Sequence, residues 1–313
     1  MELGEGASTA QRSQQTAQQN FPQALKLAAE HHPFRGMLLM LAAVLCFALL
    51  DATAKHLSQT YPVPMLVWAR YTLHCLLMLI FLAPSLRWKL VQTKRPLMQV
   101  VRALMLVVTT GFAMAAFRHL PLAETTALIF VTPLIVALLA GPFLGEKLRP
   151  LHWGASLCGF AGALLIARPD GALNLTGILL VLGAALCYSI YQIQTRLLSP
   201  SENTLTLLFY TALVGTLSMT LAAPLYWGGP MPDLRDGLMI AALGIFGGSG
   251  HFLLTKAFRL APATVLSPFL YAQLIWATLL GWLVFDHWPD GATLSGMAII
   301  AASSIVLALT QRR

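Results

Sequence analysis

The sequence predicts an all-α membrane protein: ten transmembrane helices arranged as two inverted five-helix repeats. Three observations predict it. Hydrophobic residues make up 57% of the 313 positions and charged residues only 10%, against roughly 25% charged in a soluble domain. The apolar residues fall into ten segments, about 36–57, 64–83, 98–117, 122–143, 151–167, 175–198, 204–226, 237–258, 263–285 and 292–310, most near the ~20 residues that cross a bilayer as a helix. A shift of 141 residues then lays the first half of the chain over the second.

Residues 1–33 are rich in Gln, Ser, Thr and Ala and hold no long apolar run, so they read as a disordered tail. No signal peptide is visible, because the first apolar run begins near Met37 and is long enough to span. The repeats are assigned to 34–168 and 169–313. Gly36 to Phe47 lies over Gly177 to Tyr188, Lys55 over Arg196, and Ala116-Phe-Arg118 with Pro121 over Ala257-Phe-Arg259 with Pro262. Breaks between segments are short and marked by Pro, Gly or charge, as in Tyr61-Pro-Val-Pro64 and Asp286-His-Trp-Pro-Asp-Gly291. Strands of a membrane barrel would be shorter and would alternate apolar with polar; these segments do not. Cys46, Cys75, Cys158 and Cys187 all fall inside the spans without metal-ligand spacing and read as small packing residues.

Charge sets the orientation. With the amino terminus inside, the inner segments hold 15 of the basic residues, among them Arg35, Lys94, Arg95, Arg102 and Arg196, and the outer side holds 4: Lys55, Arg118, Arg168 and Arg235. This bias places both termini in the cytoplasm of a bacterial-type inner membrane. The net charge of +8 therefore orients the protein against lipid and implies no nucleic-acid partner. Each repeat has an odd number of spans, so the second crosses the bilayer in the opposite sense to the first. Inverted repeats place a solute site near the midplane between the halves and expose it alternately by rocking.

Ionisable side chains at bilayer depth are costly and mark function by default. Asp51 and Lys55 are four apart on span 1, and Arg70 and His74 are four apart on span 2, hence each pair shares a helix face. Asp51 and Arg70 sit at similar depth, about six residues or ~9 Å from the outer end of their spans. On one reading, Asp51, Arg70 and His74, with Trp68, line a cavity, Arg70 holding a carboxylate with its planar donors and Asp51 an amine; on the other, Asp51 and Arg70 form a permanent pair that staples two spans. Asp51 or His74 is also open to a coupling proton. The second half offers Tyr188, Tyr191 and Gln192 on span 6, His251 within Gly247-Gly-Ser-Gly-His251, and Tyr271, Gln273 and Trp276 on span 9. They suit a zwitterionic or partly aromatic ligand, with ordinary packing as the alternative. Glu124 opens span 4 as a helix-dipole partner or a gate, and Pro133 and Pro268 interrupt otherwise continuous helices. Gly159 and Gly162 on span 5 permit close helix contact, within the bundle or in a dimer.

Ten spans in two inverted repeats resemble the drug/metabolite transporter superfamily, specifically its EamA-like proteins. Trp68-Ala-Arg70-Tyr, Ala127-Leu-Ile-Phe-Val-Thr-Pro133-Leu followed by Leu144-Gly-Glu146-Lys-Leu, and Gly154-Ala-Ser-Leu-Cys-Gly159-Phe-Ala-Gly162 add to the resemblance. The second copy departs from the pattern: Gly-Glu becomes Asp286-His287, and Pro133 becomes Leu274 with Pro268 six residues earlier. The resemblance implies a transporter of a small solute. The family holds exporters of amino acids, metabolites and drugs, and uptake systems for vitamins and nucleoside derivatives.

Nothing in the chain supports an enzyme. His-Glu-x-x-His, Gly-x-Ser-x-Gly and the phosphate-cradling Gly-x-x-x-x-Gly-Lys motif are missing. No residue set implies a cofactor or metal, and no soluble segment is large enough to bind ATP. The sequence reads as a secondary transporter, monomer or homodimer, that moves an amino-acid-like or zwitterionic metabolite outward. Uptake of a vitamin or nucleoside-like metabolite is the first alternative, and a membrane-embedded enzyme or structural subunit the second.

Overall fold

The structure, a computed structural model, describes residues 33–86, 90–144, 150–167, 174–198, 201–226, 228–260, 266 and 269–310. Residues 1–32 of the tail assigned to 1–33, the Glu146-Lys147 and Arg149 edge, and Pro268 lie outside the described residues, while Pro33 opens α1. Every regular element described is helical: α1 Pro33–Ser58, α2 Val63–Leu86, α3 Pro96–Ala116, α4 Leu122–Ile129, α5 Thr132–Leu144, α6 Pro150–Ala167, α7 Leu175–Leu198, α8 Thr204–Tyr226, α9 Leu234–Leu260, α10 Ala272–Phe285 and α11 Gly291–Thr310. Six of them (α1, α2, α3, α7, α8 and α9) are long and apolar enough to cross a membrane; shorter apolar stretches run over Leu122–Val136, Trp153–Ala167, Ala272–Phe285 and Gly291–Val306.

The polar residues of the breaks start and stop these helices. Asn174, Asn203, Asp233 and Asp290 each accept a hydrogen bond from a backbone N–H in the first turn of the helix that follows, at 2.7–3.2 Å, which satisfies donors a helix start leaves orphaned. Pro96 opens α3, where its missing N–H costs nothing. Lys55 Nζ closes the same helix by donating to the carbonyls of Phe117 and Leu120 at 2.8 and 2.7 Å. It thus caps a helix end.

Two of the apolar segments are interrupted. Segment 122–143 is not one helix but α4 and α5, parted at Phe130 and Val131. Pro133 is the second residue of α5 and has no N–H to offer the carbonyl four residues back; Thr132 Oγ1 donates to that carbonyl, Ile129 O, at 2.6 Å. Segment 263–285 is likewise interrupted: Tyr271 is a turn and α10 begins at Ala272. Gln273 therefore lies in the first turn of a helix and not ten residues into one. Tyr271 is Phe130 shifted by 141 positions. The two rings touch, with centroids 5.1 Å apart, so the breaks of the two repeats meet.

The packing follows the repeat. α1 lies on α9 as α3 lies on α7, α2 on α9 as α8 on α3, and α1 on α10 as α7 on α5; α2 with α8 and α6 with α11 are their own counterparts. Exchanging the repeats maps this set onto itself, as a two-fold relation requires. Gly162 packs inside the bundle: a Cβ there would stand 2.9 Å from Gly296 O, and one at Gly296 would stand 2.6 Å from Gly162 O. Gly159 likewise packs against Leu134. The small-residue stripe on α6 is thus spent on neighbours within the chain.

Candidate functional site

α1, α2, α7, α9 and α10 bring seven of the candidate residues into one region. Asp51 on α1 accepts a hydrogen bond from Gln273 Nε2 on α10 at 3.1 Å. Arg70 on α2 donates from Nη1 to Thr110 Oγ1 on α3 at 3.0 Å. That hydroxyl is held in turn by the Tyr71 hydroxyl at 2.8 Å and donates to Leu106 O. Among the described residues, no ion pair within 4 Å joins Asp51 to Arg70. The opposite charges are each positioned by a neutral partner and are both half-buried. The stapling pair that the sequence left open is not formed.

Flat rings surround the charges. His74 and His251 stack with centroids 6.0 Å apart and planes 6° apart, and Phe47 meets His251 edge-on at 5.0 Å. Tyr188 and Tyr191 on α7 stack at 5.7 Å and 10°. The Arg70 guanidinium stands 5.5 Å over the Tyr71 ring, and its Nε faces Gly247 of α9. The glycines before His251 make this possible: Cβ atoms at Gly247, Gly248 and Gly250 would meet Arg70, His74 and the Phe47 ring respectively. Bare backbone there lets α9 approach α1 and α2 to side-chain depth.

The remaining candidates lie elsewhere. Trp68 donates from Nε1 to Thr220 Oγ1 on α8 at 2.9 Å. Trp276 packs in an apolar cluster with Met40, Val44, Ala257 and Leu266. Tyr271 sits at the helix break and lines an apolar groove with Leu274, Trp288 and Met297. Gln192 is half-buried beside Tyr191. Glu124, in the first turn of α4 and 3% exposed, takes His287 Nε2 at 3.0 Å on Oε1. His287 is aimed there because Asp286 adopts a left-handed conformation (φ 51°) that ends α10 and folds the following amide back onto Gly281 O.

Sequence reasoning missed Arg102. It counted this residue with the inner basic residues, yet Arg102 is 1% exposed inside α3. Its guanidinium donates to Thr195 on α7, to Leu207 O and Thr211 on α8 and to Gln99 on its own helix, and stands 5.0 Å over the Tyr191 ring. The signal available was its place six residues inside a helix that starts at Pro96, about 9 Å of rise.

Polar ties cross between the repeats at both ends of the bundle. At the end that carries Lys55, Glu124 meets His287, and the Tyr61 hydroxyl donates to Asp236 Oδ2 at 2.6 Å. That hydrogen bond, then burial, push the Tyr61 phenol up to about 12. At the opposite end, Lys94 N donates to Glu202 Oε1 and the Tyr210 hydroxyl to Val91 O, both at 2.9 Å, beside the Arg102 contacts.

Known proteins resemble this chain. The family model described as "EamA-like transporter family" matches residues 34–168 and again 175–309. The riboflavin transporter of Vibrio cholerae is 30% identical over 88% of this chain and 94% of its own length. The pseudopaline exporter of Pseudomonas aeruginosa is 28% identical over 88% of this chain and 97% of its own. The S-adenosylmethionine uptake transporter of Rickettsia bellii is 27% identical over 71% of this chain and 76% of its own. A solved crystal structure, 22% identical, shares the fold with a TM-score of 0.64 over 89% of this chain and 98% of that one. With two matched repeats on a bundle of apolar helices, this multi-pass membrane protein belongs to the EamA-like transporter family.

Proposed function

We propose that the protein is a secondary transporter that exports a small amino-acid-like or zwitterionic metabolite across the inner membrane by alternating access. One observation carries the substrate class: Asp51 and Arg70 share a half-buried region yet are held apart by Gln273 and Thr110. A desolvated pair would satisfy itself; two charges kept separate by neutral partners are free for a ligand that carries both signs. Arg70 grips the carboxylate with its fork of donors, Asp51 takes the amine, and His74, His251, Tyr188 and Tyr191 offer ring faces to the rest of the solute. Asp51 or His74 carries the coupling proton where one is used.

The exchange symmetry of the helix packing supports ten spans in two inverted repeats, 34–168 and 169–313, and the bias of basic residues supports cytoplasmic termini. Access then alternates as the ties at one end part while those at the other hold. A second reading, uptake of a vitamin or nucleoside-like metabolite, is favoured by the two stacked ring pairs. Flux into everted against right-side-out vesicles separates the directions. In reconstituted vesicles, Arg70→Ala abolishes transport and Asp51→Asn and His74→Ala reduce it. Near-normal flux in all three variants contradicts the assignment.

A further inference from the structure

We infer that Arg102 and Gln99 form a second oxyanion-binding site, on the far side of the tyrosine pair from Arg70. The inference rests on the reading of the bundle as a transporter and extends it to the end opposite Lys55.

The argument starts from donors. An arginine presents five N–H donors and a charge that it keeps in any protein. Arg102 is 1% exposed and Gln99 fully buried. Among the described residues, no carboxylate lies within 4 Å of the Arg102 guanidinium; every acceptor it has found is a neutral oxygen. Two N–H groups remain without any partner, Arg102 Nε and Gln99 Nε2. They belong to one cluster, because Gln99 Oε1 accepts from Arg102 Nη2 at 3.3 Å. A buried donor left unsatisfied costs about 1–3 kcal/mol, and a buried cation without a counter-ion costs more. A cation and two orphan donors on one side of a helix are what a carboxylate or phosphate oxygen pair satisfies.

The location gives the cluster a use. Its acceptors on α7 and α8 belong to the second repeat and Arg102 to the first, so the site lies on the seam that must part for access from that end. Arg102 faces Tyr191, and Tyr191 stacks on Tyr188. Along α3, Arg102 is eight residues from Thr110, the partner of Arg70, which is about 12 Å. Two cationic stations joined by a pair of stacked rings suit a solute whose acidic group moves from Arg70 to Arg102 as the bundle rearranges. Free phosphate carries the same chemistry.

The test uses the full chain in lipid nanodiscs. Thermal shifts are read with sodium benzoate, with neutral benzamide and with inorganic phosphate at matched ionic strength, for the wild type and for Arg102→Gln, Arg102→Lys, Gln99→Leu and Arg70→Gln. Benzoate is expected to raise the melting temperature while benzamide does not. Arg102→Gln should remove roughly half or more of the benzoate shift, with smaller losses in Arg102→Lys and Gln99→Leu. If Arg102→Gln does not fold, the last two carry the test. An Arg102-dependent phosphate shift larger than the benzoate shift supports the site and assigns it to free phosphate. An unchanged benzoate shift in folded Arg102 and Gln99 variants, or benzamide acting as well as benzoate, overturns the inference. A shift lost only in Arg70→Gln overturns it too and leaves the Arg70 assignment standing. A shift lost only in the Arg102 and Gln99 variants does the reverse.

Discussion

At the residue scale, the telling positions are those where a polar group is placed against the preference of its surroundings. Thr132 supplies the hydrogen bond that Pro133 cannot give to Ile129 O. Thr132→Val keeps the shape but leaves that carbonyl bare, so it should lower stability by about 1 kcal/mol, read as a drop in melting temperature, while Thr132→Ser should not. Asp51, Arg70 and His74 stood out in the sequence because ions are rare at depth. Their pairings did not: Gln273, singled out separately, is 222 residues from Asp51, and no local pattern links them. Arg102 was hidden for a different reason. It lies near a segment end, where an error of a few residues decides whether a cation is read as wetted or buried.

At the element scale, hydropathy alone delimited the long helices, and the Asn and Asp residues of the breaks start three of them and α11. The interruption in the first repeat was legible through Pro133. In the second repeat Pro268 pointed to an interruption but not to its place at Tyr271, because Leu274 stands where the first repeat has its proline and the two breaks pack against each other. The short links between elements also carry ties. Tyr61 joins the turn after α1 to the first turn of α9 through Asp236. Its phenol is raised to about 12, so the neutral, donating form is favoured by the fold. The contribution is fully present below the ordinary phenol value of about 10 and is lost as pH rises through about 12. A spectrophotometric titration of Asp236→Asn should show one tyrosine returning towards about 10; an unchanged titration curve contradicts the tie.

At the scale of the whole molecule, the repeat explains the packing, and the packing places polar ties between the repeats at both ends of a shared central region. The central claim is that this region opens to each face in turn. The direct measurement is maleimide labelling of His251→Cys in sealed vesicles of both orientations, with Cys46, Cys75, Cys158 and Cys187 replaced by Ser, before and after Tyr61→Cys and Asp236→Cys are cross-linked. The account predicts labelling from both faces without the cross-link. With the cross-link, labelling from the Tyr61 face is lost and labelling from the other persists. Labelling that continues from both faces with the cross-link in place contradicts it, as does labelling confined to one face without it.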